Sequence, residues 1–254
     1  KDFGYKTNKT GFTFGTDFEY YDDLFFGIGI NSYYESIETD STASAQQKKL
    51  KGNYFDNFLS LDFDYDKRNQ KFQTSQGFRN YFATDLPIIS ETNTLANTLI
   101  TTNYFEYFDN NVLKSSFYFK NSNSLTGDNI KLSERLYIPS NRLRGFESGK
   151  VGPKDGNDFI GGNFIATLNF TSDIPKIFQD SQSTDLVIFL DIANVWGVDY
   201  DSNLDTSDDI KSAIGLGLDW YSPIGPMNFS LSQPLSKGSN DVTESFRFNL
   251  GTTF

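Results

Sequence analysis

The chain has 254 residues, a formal net charge of −11, and neither cysteine nor histidine. This composition excludes disulfides, thiol chemistry, Ser-His hydrolases and the usual zinc sites. It also argues against a nucleic-acid partner, which requires a basic face. We therefore expect no enzyme, no cofactor and no metal site.

Aromatic residues are unusually frequent for so polar a chain. Phe occurs 26 times and Tyr 14 times, whereas the mean hydropathy is −0.47. No stretch approaches the roughly 18 apolar residues of a membrane helix. A transmembrane β-barrel reconciles these facts, because only alternate residues face lipid. Lys1 follows no apolar run, so we expect a mature or trimmed chain.

Alternation of apolar and polar residues with a period of two is the dominant pattern and predicts β-strands. It is clearest at residues 12–20, 55–65, 214–220 and 244–254. We predict strands, in chain order, at residues 11–21, 24–37, 53–66, 76–87, 97–109, 111–122, 159–171, 184–197, 211–221, 226–234 and 243–254, with a poorer candidate at 1–8.

The connections tend to alternate between tight turns and long polar loops, as in outer-membrane barrels. The long loops are 38–52, 123–158 and 198–210, and the segment 172–183 departs from the pattern as a predicted structured excursion. The predicted fold class is all-β, an antiparallel transmembrane β-barrel with about 12 strands. Periodicity alone leaves open a soluble sandwich that buries its apolar faces.

Acidic residues between positions 199 and 205 invite a calcium interpretation. Leu204 and Ile210 stand where an EF-hand loop needs Gly and Glu, so the motif fails. We expect a solvated acidic loop there.

Five motifs follow one another in the second half of the chain. They are Leu143-Arg144-Gly145-Phe146, Ile160-Gly161-Gly162-Asn163, the strand from Phe189 through Asp191 to Gly197, Ser222-Pro223-Ile224-Gly225-Pro226, and a terminal strand ending in Phe254. Over residues 130–254 this order resembles the BamA family of outer-membrane assembly factors, within the bacterial surface antigen superfamily. Ala193 replaces the glycine that is usual in the third motif.

The resemblance implies a single barrel domain over residues 1–254 in the bacterial outer membrane, with loop 123–158 folded inward. The resemblance implies a barrel of sixteen strands. It thus implies that about four N-terminal strands and the POTRA repeats are missing here. A natural barrel of about twelve strands is the alternative.

The resemblance also implies a loop lock formed by Arg144, Gly145 and Phe146 with Asp191. A guanidinium inside a lumen needs a carboxylate partner, because it cannot lose its proton. The same-face residues on the preceding strand, Asn169 and Thr171, are neutral where the family usually has an acid, so a second partner stays open. The alternative is an exposed arginine in solvent.

The terminal strand is predicted to form one edge of the seam that closes the barrel. Its seam and C-terminal signal residues are Phe246, Phe248, Leu250, Gly251 and Phe254. Ser222, Pro223, Gly225 and Pro226 are predicted to make a rigid turn.

The implied function is the assembly and insertion of β-barrel proteins into the outer membrane by strand templating at the seam. Implied partners are unfolded outer-membrane proteins, accessory lipoproteins and membrane lipid. A protein-translocating pore of the same superfamily, as in two-partner secretion, is the alternative. A passive porin is a more distant one.

Overall fold

The computed structural model describes residues 4–71, 73–108, 111–174, 184–222 and 225–250. Thirteen strands lie in these ranges: β1 (Tyr5–Tyr21), β2 (Leu24–Thr39), β3 (Gly52–Asp66), β4 (Gly77–Ser90), β5 (Thr94–Phe108), β6 (Asn111–Ser124), β7 (Lys154–Asp155), β8 (Asp158–Phe159), β9 (Phe164–Asp173), β10 (Thr184–Trp196), β11 (Lys211–Ser222), β12 (Gly225–Ser236) and β13 (Phe246–Leu250). One helix, α1 (Ala45–Lys49), and 3₁₀ turns at Leu132–Glu134 and Ser202–Leu204 complete the elements. Across these ranges we find no helix with the length and apolar character needed to cross a membrane.

Eleven strands form a single antiparallel sheet in which sequence neighbours are also spatial neighbours. The one interruption is between β6 and β9, which pair directly. The segment between them, residues 125–163, carries the small β7–β8 hairpin and is called the inner loop below. Within the described residues β1 and β13 are the two edges of the sheet and do not pair with each other.

The outer face of the sheet is apolar and bare. Phe12 and Phe14 of β1 are 66% and 77% exposed, and exposed aromatic or aliphatic side chains continue on the same face as far as Phe248. No second sheet covers this face in the described part of the chain. A sandwich would have buried these side chains, so the sandwich alternative is wrong and the barrel class holds.

The inner face is packed by the inner loop. A buried apolar cluster joins residues of the loop with residues of the wall: Leu136, Ile138, Leu143, Phe146 and Val151 from the loop, and Tyr118, Ile165, Ala193, Val195 and Ala213 from the strands. The core therefore lies between the loop and the strands β6, β9, β10 and β11.

Three strand predictions change in their bounds. The candidate at 1–8 and the strand at 11–21 are one strand, β1, so eleven strands of the main sheet lie within the described residues. The strand predicted at 243–254 begins at Phe246. The strand predicted at 159–171 begins at Phe164, because Gly161 has a φ of +65° and turns the chain first. Most of the excursion predicted at 172–183 lies outside the described residues.

Candidate functional site

Arg144 of the inner loop meets Asp191 on the inner face of β10. The guanidinium donates from Nε to Oδ2 and from Nη2 to Oδ1, each at 2.8 Å, and the Arg144 amide donates to Oδ2 at 3.0 Å. The Asp191 side chain is fully buried. A two-pronged pair to a buried carboxylate fixes both the position and the orientation of the arginine.

The aromatic ring of Phe189 lies beneath this pair. The guanidinium carbon of Arg144 is 3.4 Å from the centre of the ring, a stacked cation–π contact. Phe189 precedes Asp191 by two residues and shares its face of β10. Sequence analysis missed this role, although the period of two places both side chains on the same side.

Asn169 and Thr171 of β9 complete the surroundings of the pair. The Asn169 side-chain amide donates to Asp191 Oδ1 at 2.8 Å and to the Arg142 carbonyl at 2.7 Å. The Thr171 hydroxyl accepts from Arg144 Nη2 at 3.5 Å. Both neutral residues therefore take part in the network, and Asp191 is the carboxylate that is ion-paired with Arg144.

Gly145 lets the loop approach the wall closely. Its φ is +91°, and a Cβ at this position would lie 3.0 Å from Ala213 Cβ and 3.1 Å from Ser232 Cβ. Phe146, the next residue, is buried among Ile138, Leu143 and Val151. The motif thus places Arg144 on Asp191 and Phe146 in the apolar cluster, with a glycine between them where a positive φ and a close approach to the wall favour that residue.

The inner loop also pairs with the segment that leads into β13. The Glu244 amide donates to the Gly145 carbonyl at 3.0 Å, and the Glu147 amide donates to the Val242 carbonyl at 2.9 Å. Phe146 and Thr243 form an antiparallel bridge between these contacts.

Arg247 of β13 strengthens this junction and was missed by sequence analysis. It lies buried on the inner face, donates to the carbonyls of Ser140 and Phe146, and pairs with Glu244 at 2.9 Å. The sequence signal that indicates this role is a charged residue between two outward-facing rings, Phe246 and Phe248, because alternation places it on the inner face. The last described strand is thereby bonded to the main chain on either side of Arg144.

The residues predicted to form the seam and C-terminal signal lie on the outer face or outside the described residues. Phe246, Phe248 and Leu250 are exposed on the outer face, and the rings of Phe229 and Phe248 lie 4.9 Å apart. Gly251 and Phe254 lie outside the described residues.

The predicted rigid turn lies between β11 and β12. Ser222 pairs with Gly225, whose φ is +127°, and Pro226 pairs with Tyr221. Pro223 lies outside the described residues.

Asp199 departs from the expectation of a solvated loop. Its side chain is 19% exposed and forms an ion pair with Arg135 of the inner loop. It also accepts from the Ile130 amide at 3.0 Å. No group of carboxylates suited to a metal ion occurs within the described ranges.

A family model described as the Omp85 superfamily domain matches residues 1–254. The chain belongs to the Omp85 superfamily. Omp85 proteins are β-barrel proteins of the outer membrane, which places this chain in that membrane.

The relatives of this Omp85 chain include proteins named outer membrane protein assembly factor BamA. That of Neisseria meningitidis serogroup B is 31% identical over 139 residues, covering 44% of this chain and 17% of the relative. That of Neorickettsia risticii is 22% identical over 261 residues, covering 98% of this chain and 34% of the relative. The chain thus spans about a third or less of these curated relatives.

A solved structure has the same fold. The crystal structure of BamA from Haemophilus ducreyi lacking POTRA domains 1–3 superimposes with a TM-score of 0.87 at 21% identity, covering 96% of this chain and 54% of that one. The resemblance to the BamA family and the barrel class predicted from the sequence are confirmed.

Proposed function

We propose that this Omp85 chain assembles and inserts β-barrel proteins into the outer membrane by templating client strands at the edge of β13. The proposal assigns it no covalent chemistry and no cofactor. Its clients would be unfolded outer-membrane proteins, with accessory lipoproteins and lipid as further partners. The observation that carries it is that β13 pairs on one side alone among the described residues and is joined to the loop that bears Arg144.

The edge of β13 has the properties that strand addition requires. An unpaired edge presents rows of N–H and C=O groups that a second strand can complete. Within the described residues, β13 pairs with β12 and has no strand on its other side. Displacing it therefore breaks one ladder, whereas displacing an interior strand of the sheet breaks two.

The experiment is site-specific photocrosslinking in the complete encoded protein, reconstituted in lipid vesicles and given an unfolded outer-membrane protein. A crosslinker at Phe248 of β13 is expected to capture the client, and the client is expected to become folded in the membrane. The control position is Leu216 of β11, which is similarly exposed at 47% but lies on a strand paired on both sides.

Two outcomes would contradict the proposal. Equal capture at Phe248 and Leu216 would show contact with the outer surface rather than templating at an edge. Passage of the client across the vesicle membrane without its insertion would favour the translocating pore.

A further inference from the structure

A buried cage surrounds the ammonium group of Lys131 at the start of the inner loop. Lys131 is 1% exposed, and its Nζ lies 2.5 Å from Asp56 Oδ2, 3.3 Å from Glu35 Oε2 and 3.3 Å from Glu134 Oε1. The rings of Tyr33 and Tyr54 complete the cage, with their centres 5.3 and 5.2 Å from Nζ. Carboxylates and aromatic faces are the groups that hold a desolvated cation.

The carboxylates of the cage are themselves held by hydroxyl groups. Glu35 accepts from Ser133 at 2.9 Å, Asp56 accepts from Thr92 at 3.2 Å, and Glu134 accepts from Thr94 at 2.8 Å. Burial lowers the pKa of Lys131, but the charge of Glu134 and the hydrogen bond to Asp56 outweigh it, so that the pKa lies above its usual value. The lysine therefore stays charged.

The position of the cage in the sheet is informative. Glu35 and Asp56 belong to β2 and β3, near one edge of the sheet, whereas Asp191 and Arg247 belong to β10 and β13, near the other. The inner loop thus makes charged contacts with both halves of the wall.

We propose that Lys131 is a second anchor of the inner loop, a positioning residue that holds the start of the loop against β2 and β3 independently of Arg144. The loop then braces the first strands of the sheet against the terminal strand. Removing the ammonium group would leave three carboxylates close together in a buried site, which is strongly unfavourable. The effect of this anchor on client folding rests on the proposed function.

The test measures thiol labelling in the complete encoded protein in membranes. This chain contains no cysteine, and any cysteine elsewhere in the complete protein is replaced by serine. Single reporters are then placed at two equally buried leucines, Leu132→Cys beside the cage and Leu143→Cys beside Arg144. Lys131→Met is expected to raise labelling at position 132 at least about tenfold, since a broken buried pair is costly. Lys49→Met, at an exposed lysine of α1, is the control and is expected to change nothing.

Independence of the two anchors is tested with Arg144→Ala. This change is expected to raise labelling at position 143 while leaving position 132 within about twofold of the parent, because the cage contacts remain intact. A rise of less than tenfold at position 132 in Lys131→Met, or equal rises at both positions in Arg144→Ala, would overturn the proposal.

If the Lys131→Met protein fails to accumulate in the membrane, the Glu35→Gln variant tests the anchor instead. It removes one carboxylate contact and keeps the lysine, and it is expected to raise labelling at position 132 several-fold. Unchanged labelling would overturn the anchor. Client folding is measured in parallel: absence of client folding by the parent protein would sink the proposed function while leaving the labelling result intact.

Discussion

Arg247 donates a hydrogen bond to the main-chain carbonyl of Phe146, so the last described strand of the sheet holds the motif that docks on Asp191. If this guanidinium left, the carbonyls of Ser140 and Phe146 would both lose the hydrogen bonds that it donates. Movement of β13 and release of the inner loop are therefore energetically coupled.

Arg144→Ala is expected to destabilise the folded protein by about 3–5 kcal/mol, because it leaves Asp191 charged and buried without its partner. The measurement is the unfolding midpoint in urea in detergent or lipid. The matched control is Arg79→Ala, which breaks an equally two-pronged pair with Asp64 whose side chains are 42% and 23% exposed. There the loss is expected to stay within about 1 kcal/mol. Equal losses in the two variants would refute the assignment of the Arg144 pair.

Arg247→Gln is expected to loosen the junction between the inner loop and β13 while leaving the Arg144 pair in place. Hydrogen bonds to charged groups contribute about 1.5–3 kcal/mol each, and a glutamine cannot make them all. The first readout is the rate of thiol labelling at Leu143→Cys. The second, in a separate variant, is disulfide formation between Phe229→Cys and Phe248→Cys, which reports the pairing of β12 with β13. Arg79→Gln is the control. A labelling rate unchanged from the parent would show that Arg247 does not hold the loop.

Gly145→Ala is expected to be more harmful than Gly127→Ala, although both residues have positive φ, +91° and +83°. Gly127 has nothing within 4 Å of an added Cβ, so its substitution reports backbone strain alone, about 1–3 kcal/mol. At Gly145 the added methyl group also meets Ala213 and Ser232. Comparing the unfolding free energies of the two variants isolates the effect of close approach, and identical losses would rule that effect out.

Glu134→Gln is expected to gain stability relative to the parent as the pH rises from about 4 to about 8. Burial raises the pKa of Glu134 more than Lys131 and Thr94 lower it. Because the pKa of Glu134 is higher in the folded than in the unfolded protein, protonation of Glu134 stabilises the folded parent. This contribution is fully present below the unfolded pKa and is lost as the pH rises through the folded pKa. The charged groups facing it are Lys9, Glu35, Asp56 and Lys131, with Tyr33 and Tyr54.

The measurement for this variant is urea unfolding across the pH range. Glu147→Gln is the control, because Glu147 is 43% exposed and pairs with Lys150 on the surface. A stability difference from the parent that is constant with pH would contradict the sign assigned to Glu134.

The alternation of side chains determined the strands and their faces without any knowledge of the tertiary structure. Phe12 and Phe14 point outward and Asp191 points inward because successive side chains of a strand must take opposite sides. The strand ends differ from the prediction where glycine intervenes, as at Gly161 before β9, whose φ is +65° and where an added Cβ would lie 2.5 Å from the Leu136 carbonyl oxygen. Arg144 and Asp191 came from the family resemblance rather than from the period.

Only the tertiary structure determined which partners the buried charged side chains of the inner face contact. Lys131 and Asp56 are 75 positions apart, and Arg247 and Phe146 are 101 apart. A period of two specifies the side of the sheet on which a residue lies but carries no information about the path of a loop that crosses it. The path of the inner loop depends on burial of its apolar residues and on which carboxylates lie within reach, and both are properties of the folded sheet as a whole.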